Sequence, residues 1–192
     1  NWGILAQAQQ LAYADRDRYI ADPNFVDMPL KGMLDAAYLR QRANLITPNH
    51  ASKDTVIAGD PWPFNDTEKT VTAGVDATDD VHGTSHFVVV DKQGDVVSMT
   101  SSVESIFGTT RMAGGMFLNN QLTDFSFRSE DAQGNPIANA VAGGKRPRSS
   151  MSPSIVLDSN SDFLLATGSP GGNNIIAYTV KTLVGVFEWG LS

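Results

Sequence analysis

The chain has 192 residues, of which 41% are hydrophobic and 18% charged, so it can bury a sizeable core. Its formal net charge of -7 argues against nucleic acid or an anionic membrane as the main partner, because both require a basic surface. The absence of cysteine excludes thiol catalysis, thiolate metal sites and disulfides.

Helical periodicity dominates the N-terminal quarter of the chain. One apolar stripe predicts a helix over 3–20 that ends at Asp22-Pro23. A second stripe predicts an amphipathic helix that ends before Pro48. The first stripe consists of Ile4, Ala8, Leu11, Ala12 and Tyr19, and the second of Leu30, Leu34, Ala37, Gln41 and Leu45.

Residues 48–83 are polar, are interrupted by Pro48, Pro61 and Pro63, and show no apolar period. We therefore predict a long linker, and a loop of this length is usually functional or disordered. It is a plausible place for chain cleavage.

Strand signals begin directly after Thr84. Segments 85–91 and 95–102 are rich in Val, Phe and Thr and flank the turn Lys92-Gln93-Gly94-Asp95, which predicts a β-hairpin. Further strands are predicted at 115–118, 153–157 and 163–167, the last two joined by a turn at 158–162. A polar loop is expected at 126–144 and a buried helix at 173–189. The apolar face of that helix comprises Ile176, Val180, Leu183, Val184 and Phe187.

Hydroxyl side chains are the main candidates for chemistry. His50, His82 and His86 are spaced for neither a zinc site nor a Ser-His-Asp triad. A threonine hydroxyl becomes a good nucleophile when a free α-amine on the same residue, with a pKa of about 8, acts as its base. Thr84 lies where the linker meets a strand, and cleavage there would create such an N-terminus.

Five motifs in one order along the chain resemble the γ-glutamyltransferase (glutathione hydrolase) family. They are Gly83-Thr84-Ser85-His86-Phe87, Phe107-Gly108-Thr109, the segments 118–125 and 145–153, and Gly168-Ser169-Pro170-Gly171-Gly172. Residues 12–16 and 22–25 resemble the last helical part of the family's large subunit. The resemblance is collinear and covers nearly the whole chain, which makes it specific.

The resemblance implies an α+β fold, the αββα sandwich of the N-terminal-nucleophile hydrolases, with stacked antiparallel sheets flanked by helices and only partly present here. It also implies that the precursor cleaves itself between Gly83 and Thr84. Residues 1–83 would then be the C-terminal part of the large subunit, with the linker 48–83 as a free tail. Residues 84–192 would be the N-terminal part of the small catalytic subunit of a heterodimer, the two forming one intertwined domain.

The resemblance assigns the chemistry to four positions. Thr84 attacks glutathione or another γ-glutamyl amide, and water or an acceptor amine resolves the γ-glutamyl ester. Ser102 hydrogen-bonds to this nucleophile, and the backbone amides of Gly171 and Gly172 form the oxyanion hole. No metal ion and no cofactor are expected.

The donor-binding residues follow from the same resemblance. Gln121 and Asp124 are expected to bind the α-amine of the donor, and Ser149 and Ser150 its α-carboxylate. Ser102 and Glu104 stand where the best-known members carry threonine and asparagine. Glu104 is expected to accept from the donor ammonium but to repel its carboxylate.

This departure leaves the donor specificity open. One alternative is a glutaryl or cephalosporin acylase of the same fold, and another is an unprocessed, inactive homologue that acts as a binding module. The chain has no initiator Met and ends directly after an apolar helical stretch, so we expect a fragment of a longer protein. No signal sequence is visible, and a periplasmic or secreted location is what the family suggests.

Overall fold

Helices and paired strands succeed one another in the computed structural model, which describes residues 1–48, 55–78 and 83–191. The chain divides into two units. Unit 1 comprises Asn1–Thr78 and Phe125–Arg148, and unit 2 comprises Asp79–Asp124 and Ser149–Ser192. The described strands form three separate two-stranded antiparallel sheets, all of them in unit 2. The α+β character predicted from the sequence is confirmed.

Unit 1 begins with helix α1 (Trp2–Tyr19), close to the predicted bounds. The Asn1 side chain caps it by accepting a hydrogen bond from the Gly3 backbone N–H at 3.0 Å. Its buried face differs from the predicted apolar stripe, because Asp15 and Arg16 are buried beside Leu11 and Tyr19. Periodicity alone missed these charged positions, since their burial depends on partners elsewhere in the chain.

The sequence predicted one continuous second helix. This prediction is wrong, because the segment forms two short helices. Helix α2 spans Leu30–Leu34 and helix α3 spans Ala36–Ala43, with Asp35 between them in extended conformation. The Asp35 carboxylate accepts from the backbone N–H groups of Ala37 (2.7 Å) and Tyr38 (3.2 Å), so it caps α3 as a new helix.

In the uncleaved chain, the described part of the linker, 55–78, is attached to α1 and α3. The Asp15 carboxylate accepts from the Gly59 N–H and the Tyr38 hydroxyl, both at 2.7 Å, and pairs with Arg42 at 3.2 Å. The Tyr19 hydroxyl donates to the Gly59 carbonyl at 2.7 Å. Burial and the bond to Asp15 raise the pKa of Tyr38, so this hydroxyl remains a donor.

Unit 2 begins with the predicted hairpin, in which β1 (Thr84–Val90) pairs with β2 (Val96–Ser102). The Asp91 carboxylate closes the turn by accepting from the Gln93 and Asp95 backbone N–H groups, both at 2.9 Å. Strands β5 (Ser154–Leu157) and β6 (Phe163–Thr167) form a second hairpin at the predicted place.

The strand predicted at 115–118 is part of a small hairpin instead. Strand β3 (Met112–Ala113) pairs with β4 (Met116–Phe117), and Gly114 and Gly115 turn the chain with φ of 59° and 80°. The Gly-Gly pair punctuates the apolar run, so two very short strands form.

Helix α4 (Ile175–Trp189) completes unit 2 and begins two residues later than predicted, after a 3₁₀ turn at Gly172–Asn174. Its fully buried residues are Ile175, Thr179 and Gly185, whereas Phe187 of the predicted face is 48% exposed. Within the described chain, the buried face of α4 is therefore rotated about the helix axis from the predicted face.

Candidate active site

The hairpin register brings Thr84 and Ser102 together. Thr84, the first residue of β1, lies directly opposite Ser102, the last residue of β2. Residues opposite each other in an antiparallel pair project to the same face of the sheet. The Thr84 hydroxyl donates to Ser102 Oγ at 3.4 Å, and both side chains are half-buried.

Ser102 also contacts the peptide bond that precedes Thr84. Its hydroxyl donates to the carbonyl oxygen of Gly83 at 3.1 Å, while its oxygen accepts from the Glu104 backbone N–H at 2.8 Å. A serine hydroxyl has one donor and two acceptor positions, and these three contacts use all of them. The Gly83–Thr84 peptide therefore faces a hydroxyl whose direction is fixed.

Gly83 is required at this position by its neighbour. A Cβ on Gly83 would lie 2.6 Å from the carbonyl carbon of Glu104 and closer still to its oxygen. Carbon atoms in contact are normally about 3.5–4.0 Å apart. Only glycine allows the backbone at Gly83 to approach the turn at Glu104 so closely.

Glu104 combines an uncommon backbone with a buried carboxylate. Its φ is 74°, in the left-handed region that non-glycine residues rarely occupy, and the residue is only 3% exposed. One carboxylate oxygen, Oε2, accepts from the Ser105 hydroxyl and from the Asn120 side-chain amide, both at 2.9 Å. The other, Oε1, is buried and has no hydrogen-bond partner in the described chain. A buried acceptor without a donor is costly unless a ligand supplies one.

Asn120 connects Glu104 to the segment that carries Gln121 and Asp124. Besides the bond to Glu104, its amide donates to the Thr123 hydroxyl at 3.4 Å, and its backbone N–H donates to the Val103 carbonyl at 3.0 Å. Gln121 and Asp124 belong to a 3₁₀ turn (Gln121–Asp124), in which the Gln121 amide donates to the Asp124 carboxylate at 2.5 Å. The Asn120 side chain therefore links Glu104 to Thr123, which lies in the same 3₁₀ turn as Gln121 and Asp124. The sequence pattern does not distinguish Asn120 as a site residue.

The remaining predicted residues lie near the N-terminus of α4. Ser150 is 9% exposed, and its hydroxyl donates to the Asn173 side-chain oxygen at 3.1 Å, next to Gly172. Ser149 is exposed, and its oxygen accepts from the Met151 backbone N–H at 3.2 Å. Asn173 was not predicted as a site residue, and no local pattern distinguishes it.

The backbone at Gly171 and Gly172 can be adopted only with difficulty by other residues. Their φ angles are 133° and 54°, and a Cβ on Gly171 would lie 2.8 Å from the Tyr178 ring. Oxyanion sites in proteins are commonly formed by successive backbone N–H groups of turns with unusual backbone angles.

His86 places the glycine-rich segment beside β1. Its Nδ1 is 2.9 Å from the Thr100 hydroxyl, and its ring fills the position where a Cβ on Gly168 would lie, 2.8 Å from Nε2. In addition, the Ser98 hydroxyl of β2 donates to the Thr167 carbonyl at 3.2 Å. The hairpin that carries Thr84 and the segment that leads to Gly171 are thus packed together.

His50 and His82 lie outside the described residues. Within the described ranges, no group of three or more His, Asp or Glu side chains is arranged to hold a metal ion. No helix in the part of the chain that the structure describes is long and apolar enough to cross a membrane.

Comparison with solved structures identifies the class of fold. The cephalosporin acylase from Bacillus halodurans superposes on 97% of this chain, using 29% of its own length, with a TM-score of 0.71 and 19% sequence identity. The chain therefore has part of an N-terminal-nucleophile hydrolase fold, as predicted. The family model for gamma-glutamyltranspeptidase matches residues 1–192, and the chain belongs to that family.

Two curated bacterial relatives agree with this assignment. The glutathione hydrolase proenzyme of Bacillus subtilis (strain 168) is 40% identical over 191 residues, which cover 98% of this chain and 31% of that protein. The glutathione hydrolase proenzyme of Escherichia coli (strain K12) is 36% identical over 196 residues, again covering 98% and 31%. The chain thus spans less than a third of the length of these relatives. The family predicted from the motifs is confirmed.

Proposed function

We propose that this chain is the junction region of a self-processing γ-glutamyl hydrolase and transferase in which Thr84 is the nucleophile. The observation that carries the proposal is the position of the Ser102 hydroxyl, which contacts both Thr84 Oγ1 (3.4 Å) and the Gly83 carbonyl oxygen (3.1 Å). Membership of the family and the word proenzyme in the names of both relatives support it.

Self-cleavage would begin with attack of Thr84 Oγ1 on the carbonyl carbon of Gly83. As the new C–O bond forms, negative charge develops on the carbonyl oxygen, where the Ser102 hydroxyl already donates. The Thr84 hydroxyl donates to Ser102, so its proton has a path away from the attacking oxygen. Breaking the C–N bond moves the Gly83 acyl group onto Thr84 as an ester and releases the α-amine, which takes up a proton.

Water then hydrolyses this ester. The products are a carboxylate at Gly83 and a Thr84 with a free hydroxyl and a free α-amine. That amine, with an ordinary pKa of about 8, supplies the base that the threonine hydroxyl otherwise lacks. In turnover Thr84 attacks the γ-glutamyl amide of the donor, and water or an acceptor amine releases the γ-glutamyl group.

Donor recognition rests on the residues around Glu104. Its unpartnered Oε1 and the carboxylate of Asp124 are acceptors suited to the α-ammonium of a γ-glutamyl donor. A glutaryl donor has no such group and would leave the buried oxygen of Glu104 unsatisfied. This difference favours a γ-glutamyl donor such as glutathione over the acylase alternative. Gln121 would help to bind the α-ammonium group of the donor.

The other end of the donor is assigned to the α4 terminus. We propose that Ser149 and Ser150 donate to its α-carboxylate and that the N–H groups of Gly171 and Gly172 stabilise the oxyanion. The tight backbone at Gly171 and the burial of Ser150 support these roles. No metal ion or cofactor enters any of these steps.

Processing at Gly83–Thr84 would leave residues 1–83 and 84–192 on a large and a small subunit of one heterodimer. Both relatives reported above are bacterial, and we propose a periplasmic or secreted location for the whole protein. Detection of the protein in the periplasmic or culture fraction of its own cells would test that location.

The experiment uses the full-length protein and the variants Thr84→Ala and Ser85→Ala. Ser85 is an exposed neighbour whose side chain alternates to the other face of β1, so it is a matched control. We expect two bands on a denaturing gel for the parent and for Ser85→Ala, and one band for Thr84→Ala. Persistence of a single band in the parent would support the inactive binding module instead.

A second assay separates the two donor classes. The parent should release p-nitroaniline from γ-glutamyl-p-nitroanilide much faster than it hydrolyses glutaryl-7-aminocephalosporanic acid. The reverse preference would instead support a glutaryl or cephalosporin acylase.

A further inference from the structure

Unit 1 is built from two stretches of chain that lie on opposite sides of the Gly83–Thr84 bond. Residues 125–148 pack with residues 1–78, although 46 residues of unit 2 (Asp79–Asp124) separate them in sequence. If the chain is cut at Gly83, these two stretches belong to different polypeptides. Every contact between the two stretches is then a contact between the two polypeptides that cleavage produces.

Backbone contacts hold the first part of this interface. The Gly74 N–H donates to the Pro136 carbonyl at 2.8 Å, and Gly74 forms a parallel bridge with Ile137, which is 5% exposed. A Cβ on Gly74 would lie 2.6 Å from the Asn135 carbonyl oxygen, so the two backbones approach as closely as glycine permits.

Buried polar groups hold the second part. The Arg148 guanidinium, whose side chain is 6% exposed, pairs with Asp76 at 3.2 Å and with Asp17 at 3.5 Å. The Asn139 amide donates to the same Asp76 carboxylate at 3.3 Å, and its oxygen accepts from the Arg148 backbone N–H at 2.9 Å. Arg148 also donates to the Arg16 carbonyl at 3.4 Å. The cation and the amide come from one stretch, and both carboxylates come from the other.

Asp22 and Arg146 form a third contact. The Asp22 side chain is 1% exposed and accepts from both the guanidinium (3.3 Å) and the backbone N–H (2.9 Å) of Arg146. These bonds, together with one from the Asn24 backbone N–H, lower the pKa of Asp22 to about 2. The carboxylate therefore stays ionised and paired across the ordinary pH range.

We propose that residues 125–148 act as a clasp that retains the small subunit on residues 1–78 of the large subunit after cleavage. The clasp is already complete in the uncleaved chain, so cleavage requires no new assembly step. Before cleavage the covalent chain keeps the two halves at high effective concentration, and afterwards the clasp must hold them without that tether. The role of the clasp rests on the proposed function, because it begins only after cleavage. The strength of the contact can be measured whether or not the protein cleaves itself.

The test uses full-length Thr84→Ala protein in which residues 79–82 are replaced by the recognition sequence of a site-specific protease. Cutting at this sequence separates the two stretches whether or not the native chain processes itself. The variant is Arg148→Met, and the matched control is Arg128→Met, an exposed arginine of the same segment. Uncut samples of each report folding by circular dichroism and gel filtration.

Dissociation of the cut protein is followed by analytical ultracentrifugation over a dilution series in a fixed, moderate guanidinium concentration. We expect Arg148→Met to raise the dissociation constant of the two fragments at least about tenfold, because it leaves Asp76 buried without its cation. Arg128→Met should stay within about twofold of the parent. Uncut Arg148→Met should remain one folded species.

If uncut Arg148→Met fails to fold, Arg146→Met takes its place, because its side chain is 72% exposed and its loss disturbs packing less. A rise of about threefold is expected there. Equal dissociation constants for the cut parent and the variant that folds would overturn the clasp. Absence of self-cleavage in the unmodified protein would instead contradict the proposed function and leave this measurement valid.

Discussion

Replacing Gly83 with alanine tests whether the close approach of two backbones sets the rate of self-cleavage. The new methyl group would lie 2.6 Å from the carbonyl carbon of Glu104, where about 3.5 Å is the normal contact distance. The Glu104 carbonyl oxygen would be closer still, so the two backbones must separate by more than about 1 Å. The φ of Gly83 is not in the left-handed region, so steric contact with Glu104 is the main obstacle.

The displacement carries the Gly83 carbonyl away from the Ser102 hydroxyl. A misplacement of about 1 Å can lower the rate of an enzymatic step roughly 100-fold. We expect Gly83→Ala to slow self-cleavage by about that factor. After cleavage Gly83 is no longer bonded to Thr84, so the kcat per processed molecule should equal that of the parent.

The assay follows disappearance of the precursor band on a denaturing gel after rapid purification in the cold. Turnover of γ-glutamyl-p-nitroanilide is measured in parallel, per processed molecule. Gly143→Ala is the control, because no atom lies within 4 Å of its added Cβ. Cleavage of Gly83→Ala at the parent rate would refute the reasoning, and so would a processed form with an altered kcat.

Three further predictions concern single side chains. Ser102→Ala should slow self-cleavage roughly 100-fold or more in the same gel assay, because the scissile carbonyl loses its donor. Asn120→Ala should raise the KM for γ-glutamyl-p-nitroanilide about tenfold with little change in kcat, because the carboxylate of Glu104 loses a hydrogen bond; an equal fall in kcat would contradict a positioning role. The lowered pKa of Asp22, about 2 against an ordinary 3.8, means that its pairing with Arg146 contributes fully above about pH 4 and is lost as pH falls through 2. Acid unfolding of Asp22→Asn should therefore lack this component, and an unchanged pH profile would count against the pairing.

The hairpin that carries the candidate nucleophile was predictable because two local signals agreed. Segments rich in Val, Phe and Thr and the turn at 92–95 defined strands whose observed ends differ by at most one residue from the predicted ones. Once the turn is fixed, antiparallel pairing dictates that Thr84 meets Ser102.

Helix boundaries and buried charges were less predictable. The apolar stripe continues across Asp35, so nothing in the period shows that its carboxylate starts a new helix. Asp15 is not part of the predicted apolar stripe of α1, yet it is buried, and its carboxylate contacts Tyr38, Arg42 and Gly59. These partners lie far away in sequence, and a local pattern does not encode them.

The candidate site likewise contains some residues that the sequence predicts and others that it does not. The collinear motifs predicted most of the residues that the structure gathers around Gly83 and around the start of α4. They did not reveal Asn120, which contacts Glu104 from 16 residues further along the chain, or the packing of His86 on Gly168. Both roles depend on side chains that approach only in the folded state.

The hairpin has a consequence for how the chain tolerates insertions. Strand residues alternate between two faces, so adding one residue within 92–95, with the same number of residues kept in the turn, would shift β2 by one position. Ser101, which points away from Thr84, would then oppose it, and Ser102 would leave the scissile carbonyl. A longer turn, about eight residues from Thr84, would thus abolish self-cleavage although every candidate site residue is unchanged.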